Sequence, residues 1–426
     1  VETQLTISLF KAAVTTWFIW LPVLSFLVLV VTWLDYKRTI FIADVEYVFL
    51  EVRVPREIRR GPKAMEQLFT SIYSILNSTV PSHIIDGLLY GEIALTMSFE
   101  IVSIGGEVHF FIKTPKKFKN ILEANLFGCY ADLEIAVVPD YTERMPSTYA
   151  DLAENNYELW GSELVLMTDD VYPIRTYVEF ESMDEYAQLD PIATLVEMLS
   201  KLQVEEELWI QFIIVPAGME WRAKGQKVVE GLRTQSSKTT IIGGESTVSM
   251  VDRTPGQTDI IKAIERNISK PGYYTVIRYV YIAPKSIYNK DLARTGIPSA
   301  FNQYQAQTLN AFRHDFSVRT QTIWHKHPYF FPTWRLLQRR KSIYDSFIKR
   351  SFPEAPFFKQ LFTGQTLSAD IPIFNTEELA TLYHYPTDIV LTAPSMKRVE
   401  SKKVGPPAGL PIFQETGDSI QGFKNK

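Results

Sequence analysis

His325 and His327 stand two residues apart, with His314 and Asp315 upstream. On a strand, residues i and i+2 share a face, so two imidazoles in that register could bind one metal ion. Lys326 separates them, aromatic residues surround them, and no third ligand falls at motif spacing. A structural role is the plainer reading, and neither a metal nor a cofactor is expected. A phosphate-cradling loop needs GxxxxGK followed by Ser or Thr, because backbone amides and a lysine must hold the phosphates. Gly225-Gln226-Lys227 lacks the first glycine and the hydroxyl residue, and Gly105-Gly106 and Gly243-Gly244 lack the Lys-Ser/Thr pair. Paired acids occur at Asp169-Asp170 and Glu205-Glu206-Glu207. Paired carboxylates do acid–base work when their surroundings separate their pKa values. Both sets fall at expected turns, where solvated acids are common. No GxSxG elbow marks a nucleophilic serine. Cys129 closes an amphipathic helix and reads as core rather than nucleophile. No catalytic residue is expected.

The strongest charged motif is basic. Arg335, Arg339, Arg340, Lys341, Lys349 and Arg350 are interleaved with Trp334, Tyr344 and Phe347 on one expected helix, Thr333 to Phe352. Such a face could touch nucleic-acid phosphates or acidic lipids, while a solvated face or a partner contact is the blander reading. The net charge of −4 argues against a chain built around polyanions. One cysteine excludes an intramolecular disulfide and a Cys-rich zinc site, and agrees with a reducing compartment.

The elements that must carry these groups read as α+β. Tyr47 to Val54 alternates as a strand, and Gly61-Pro62 opens a helix with Met65, Leu68, Phe69, Ile72, Ile75 and Leu76 at helical spacing. Ile93 to Ile104 and Glu107 to Lys113 are expected strands turning at Gly105-Gly106. A helix after Thr114-Pro115 and a strand at Leu133 to Val138 complete the β-α-β-β-α-β order of the ferredoxin-like unit over 44–147. A second α+β unit is expected over 150–290, read as a diverged duplicate. Its strands are Glu163 to Met167, Ile174 to Phe180, Leu208 to Val215 and Tyr273 to Ala283, and Thr234 to Gln257 is a polar loop. A mostly helical region over 291–393 includes a helix from Pro298 through Phe312 and a short one at Asn375 to Tyr385. A Pro/Lys-rich tail follows over 394–426.

Ala12 to Leu34 is a run without charge, flanked by Trp17, Trp20 and Trp33 and containing Pro22. Its length suits a ~30 Å hydrocarbon core. A transmembrane anchor over 1–40 is therefore expected. Lys37 and Arg38 follow it directly, while only Lys11 precedes it. The positive-inside rule then places the bulk of the chain in the cytoplasm, in a single-pass protein of the inner membrane. The expected fold is thus one transmembrane helix, two ferredoxin-like α+β domains and a mostly helical C-terminal region.

Several segments carry a likeness by their order. They are FEIVSIGGEVHFFIKTP at 99–115, DPIATLVEMLSKLQVEEELWIQFIIVP at 190–216, AIERNISKPGYYTVIRYVYIAP at 263–284, AFNQYQAQTLNAF at 300–312 and FNTEELATLYHYPT at 374–387. In this order the chain resembles the pre-ATPase region of membrane-anchored conjugative-transfer ATPases of the type IV secretion coupling and HerA/FtsK-like class. More closely, it is similar to an uncharacterised domain family found beside such proteins in candidate-phylum bacteria. In the coupling-type proteins the element here containing Asn375, Glu378, Leu379, Leu382, His384 and Pro386 leads, with the Pro-rich run after it, into the motor domain. The resemblance implies a non-catalytic component of a translocation machine that recruits or organises a ring ATPase. Homo-oligomers are compatible with that role, and nucleic acid would be met only indirectly or weakly. A membrane-bound enzyme with an unrecognised site, and a membrane scaffold unrelated to transport, are the alternatives.

Overall fold

Phe99 and Ile101 point to one side of a strand, and Ser98 and Glu100 to the other. That alternation organises the whole molecule. The computed structural model describes residues 15–55, 60–80, 90–180, 190–235, 237–242, 245–250, 254–321, 330–353 and 371–387.

The first half contains β1 (Tyr47–Arg53), α2 (Pro62–Asn77), β2 (Met97–Ile104), β3 (Glu107–Pro115), α3 (Lys119–Cys129) and β4 (Glu134–Val137), preceded by helix α1 (Trp17–Asp44). The second half contains α4 (Tyr149–Glu154), β5 (Tyr157–Leu166), α5 (Ala193–Ser200), β6 (Glu207–Pro216) and α6 (Met219–Gln235). It continues through β7 (Ser237–Ile242), β8 (Glu245–Met250), α7 (Pro255–Ser269), β9 (Gly272–Pro284), α8 (Ile297–Phe301) and β10 (Phe312–His314). Helix α9 (Pro332–Lys349), β11 (Ile373–Asn375) and α10 (Thr376–Leu382) follow.

Nine strands form one antiparallel sheet, in the order β10-β5-β9-β6-β2-β3-β1-β4 with β11 added beside β9. This corrects the expectation of two separate ferredoxin-like domains. Each half does place its fourth strand beside its first, then its third, then its second, as the split β-α-β order does. The two halves are fused, however, because β2 and β6 pair along their full lengths, from Met97 opposite Ile214 to Ile104 opposite Glu207. Glycines close the first hairpin. Gly105 and Gly106 have φ of 59° and 88°, and a Cβ on Gly105 would lie 2.7 Å from the Val204 carbonyl oxygen.

One sheet face carries Leu50, Phe99, Ile101, Phe110, Ile210, Phe212 and Tyr279 into a core with α2, α3, α5 and α10. The opposite face carries Phe49, Val102, Phe111, Trp209 and Val280 against Ile343, Tyr344 and Phe347 of α9. Between β6 and β9 the chain leaves the sheet. Helices α6 and α7 pack through Trp221, Val229, Ile261 and Ile264, and β7 pairs only with β8. Gly225 lies inside α6, where a Cβ would sit 2.3 Å from Ile268 Cγ2, so close helix packing accounts for the residue.

Other expectations need correction. The segment 237–250 holds a β-hairpin rather than only loop. Residues 174–180 form no strand. Their backbone amides at Ile174 and Tyr177 donate to Glu378 and Thr381 of α10, leaving only a 3-10 turn at Tyr177–Glu179. The helix expected through Phe312 ends at Phe301, and Phe312–His314 joins the sheet.

The expected membrane crossing is also corrected. Helix α1 is described over Trp17–Asp44. Its apolar part ends at Leu34, contains Pro22 and Thr32, and is followed directly by Asp35, Lys37 and Arg38. Among the described residues no helix is long and apolar enough to cross a membrane. The single-pass topology and the inner-membrane location rested on that helix and fall with it. Leu34 and Arg38 are instead buried against the body, Lys37 lies over the Trp33 ring, and Trp17 and Trp33 are exposed. The side chain of Trp20 lies outside the description.

Candidate functional site

Alternation puts Tyr47 of β1, Ser98 and Glu100 of β2, Lys113 of β3, and Gln211 and Val215 of β6 on the same sheet face. Where α9 ends, this face is only partly covered. A cavity of about 490 Å³ opens there. Its floor is Tyr47, Ser98, Lys113 and Val215, and its walls come from Arg38 and Ile42 of α1, Ile93–Thr96, and Lys349–Phe352. Its lining mixes apolar side chains with the cations Arg38, Lys113, Lys349 and Arg350.

Arg350 builds the polar wall. It caps α9 in the left-handed region, at φ 51°, with its N–H donating to the Phe347 carbonyl at 3.0 Å. A non-glycine residue there costs on the order of 1 kcal/mol, and its ion pairs offset this. Nε and Nη2 donate to Glu100 at 2.6 and 3.1 Å, and Nη1 and Nη2 donate to Asp140 at 2.6 and 2.9 Å. Nη1 also donates to the Ile348 carbonyl at 3.2 Å, so all five N–H donors of the guanidinium are engaged. Its plane lies over the rings of Phe49 and Tyr141. Glu100 further accepts from Ser98 Oγ, Tyr141 Oη and Gln211 Nε2, at 2.6, 2.6 and 3.3 Å. Gln211 and Arg278 donate to the Phe347, Ser346 and Ser351 carbonyls, which ties the end of α9 to the sheet.

Burial works against ionisation of Asp140, but the hydrogen bonds and charge of Arg350 outweigh it and hold the carboxyl below its usual range. Lys113 differs. Burial, and then the charge of Arg350, lower its ammonium below the ordinary lysine range, with Glu100 and Asp140 pulling weakly the other way. Its Nζ lies 5.0 Å from the centre of the Tyr47 ring. Among the described residues no hydrogen bond or ion pair engages that ammonium. A desolvated cation facing a partly apolar cavity has one evident chemical use, to receive an anion.

The basic motif mostly turns inward. Arg335 and Arg350 are buried. Arg339 donates to the carbonyls of Phe316, Arg319 and Gln321. Arg340 pairs with Glu158 and reaches Tyr149 Oη. Only Lys341 and Lys349 of the set are exposed. The Asn375–Pro386 element is buried throughout. Asn375 and Glu378 form a reciprocal capping box, Leu379 and Leu382 enter the core, and His384 Nε2 meets Asp190 Oδ1 at 2.7 Å. His325 and His327 lie outside the described residues, as does the expected tail over 394–426. Among the described residues no group of three or more His, Cys, Asp or Glu side chains could hold a metal ion. Asp169 and Asp170 share Lys224, and burial together with Asp169 pushes Asp170 up to about 6. Glu206 and Glu207 accept from Tyr281 and Trp209, and Cys129 is buried. The site residues that sequence reasoning missed are Lys113, Glu100, Asp140, Tyr141 and Gln211. The available signal was a charge inside a strand whose neighbours are all apolar, as in Phe111-Ile112-Lys113.

Fold and cavity together define an α+β protein with one fused antiparallel sheet and a cationic, partly apolar cavity at its seam. The chain belongs to the family described as a domain of unknown function, DUF8128, whose model matches residues 42–354. That span contains both halves of the sheet up to β10, together with α9 and Arg350. No curated protein matches the chain.

Proposed function

We propose that this chain is a non-catalytic binding module whose working site is the cavity between α1 and α9. The observation that carries this reading is the Lys113 ammonium, which faces the cavity without a carboxylate or carbonyl to receive it. A ligand that binds only the folded chain raises its stability with concentration. Thermal unfolding across a panel of organic and inorganic anions at fixed ionic strength tests the proposal. A saturable rise in Tm that the K113M variant loses is expected. A panel in which no anion gives a saturable shift would sink the reading.

A second reading follows from the resemblance, in which the module organises a ring ATPase of a translocation machine. One observation favours it. The insertion α6-β7-β8-α7 contributes no strand to the nine-stranded sheet, which suits an arm for a partner. Reconstitution with a candidate ATPase, with and without residues 237–250, tests this. No association in either case argues against it.

A further inference from the structure

Lys113 and Arg350 look like a pair of cations for one anion, but only one of them has donors to give. Every N–H of Arg350 already meets Glu100, Asp140 or the Ile348 carbonyl. The planar two-point grip that suits phosphate is therefore in use. Ser98 Oγ donates to Glu100 and is likewise engaged. The floor thus offers a single ammonium on a flexible stem, a point charge. Two fixed carboxylates, Glu100 and Asp140, stand behind it and balance the charges of Lys113 and Arg350. Arg38 and Lys349 add two further cations in the walls, so an anionic head suits this end of the cavity, with Lys113 as the cation the floor presents to it.

Apolar side chains make up about half of the lining. Ile42 of α1, Ile93 and Leu95 of the segment before β2, Val215 of β6 and Phe352 after α9 line the same cavity. Its volume of about 490 Å³ lies within the range of pockets that enclose small organic ligands. Polar ligands would leave their own groups unpaired against these side chains, at about 1–3 kcal/mol each.

We infer that the cavity takes an amphipathic carboxylate, with its carboxylate on Lys113 Nζ and its apolar tail among Ile42, Leu95, Val215 and Phe352. The inference rests on the reading of the cavity as the binding site. It goes further by naming the ligand's chemistry. The depressed ionisation of Lys113 agrees with it, because a carboxylate in contact would restore what burial takes from the ammonium.

The test uses the full chain with decanoate, decanol and inorganic phosphate as probes, each below any micelle-forming concentration, read by isothermal titration calorimetry. Decanoate is expected to bind one per chain, at least tenfold more tightly than decanol. In K113M that preference should vanish while decanol binding stays. V215W, which fills the cavity, should lose both ligands. Circular dichroism and Tm establish that each variant is folded. Equal binding of decanoate and decanol to the wild-type chain overturns the inference. Saturable binding of phosphate without decanoate overturns it too, but leaves the anion-binding reading standing. No binding of any probe removes both.

Discussion

Glu100 of β2 and Gln211 of β6 stand directly opposite each other across the seam of the sheet, and Gln211 Nε2 donates to Glu100 Oε1 at 3.3 Å. The two residues belong to equivalent strands of the two halves. They hold the polar cluster on which α9 ends, and so one contact joins the fusion of the sheet to the geometry of the cavity. Glu100 is fully buried, and its partner Arg350 is 5% exposed. Neither is stable alone in that setting.

Arg350→Ala therefore leaves buried Glu100 and half-buried Asp140 without the ion pairs that hold them. Removing one partner of a buried pair costs about 3–5 kcal/mol. Urea denaturation should show a loss of that size for R350A. The exposed pair Lys262–Asp259 serves as control, and K262A should change stability by less than about 1 kcal/mol. A loss below about 1 kcal/mol for R350A would mean that the cluster does not hold α9.

Two glycines of α6 should respond with opposite signs. Gly231 has no atom within 4 Å of a built Cβ, so G231A should gain about 0.5–1 kcal/mol from helix propensity. Gly225 would place its Cβ 2.3 Å from Ile268, and overpacking costs about 1–3 kcal/mol, more than that gain. G225A should destabilise. Stabilisation by both substitutions would contradict the packing of α6 on α7.

Stability should fall at both ends of the pH range for separate reasons. Burial would raise Asp190, but the His384 charge and hydrogen bonds from His384 and Thr387 hold it at about 2. Its folded value lies below the unfolded value of 3.8, so its stabilisation is present above that pH and is lost as pH falls toward about 2. The linkage is worth about 2 kcal/mol. Burial pushes Glu378 the other way, to about 8. That contribution is present below 4.5 and is lost as pH rises through about 8. Denaturation across pH should show D190N with a flattened acid limb. E378Q should show a flattened alkaline limb and a lower plateau, because its side chain keeps one acceptor for the Ile174 and Asn375 amides. An unchanged acid slope in D190N would overturn the first assignment.

Local features were legible in the residues. Gly105-Gly106 is readable as a turn, and the Met65–Leu76 spacing as a buried helix face. Partners distant in sequence were not. Alternation tells which side chains share a face, but it does not say that β2 lies beside β6, so two units were read where one sheet exists. Arg350 was read as part of an exposed basic stripe, because charge alone does not reveal that Glu100 and Asp140 are waiting for it. Composition alone reads the Ala12–Leu34 run as a membrane span, and it does not show that Leu34 and Arg38 are buried. Lys113 was passed over because a lone lysine in an apolar strand matches no motif.

The claim that Lys113 receives a carboxylate inside the cavity is tested most directly by mapping the reactivity of its amine. Reductive methylation of the full chain, followed by peptide mass analysis, would be run with and without saturating decanoate. The account expects Lys113 to be protected at least tenfold by decanoate, while exposed Lys341 is labelled at an unchanged rate. Labelling of Lys113 that decanoate leaves unchanged, with decanoate bound, would contradict it.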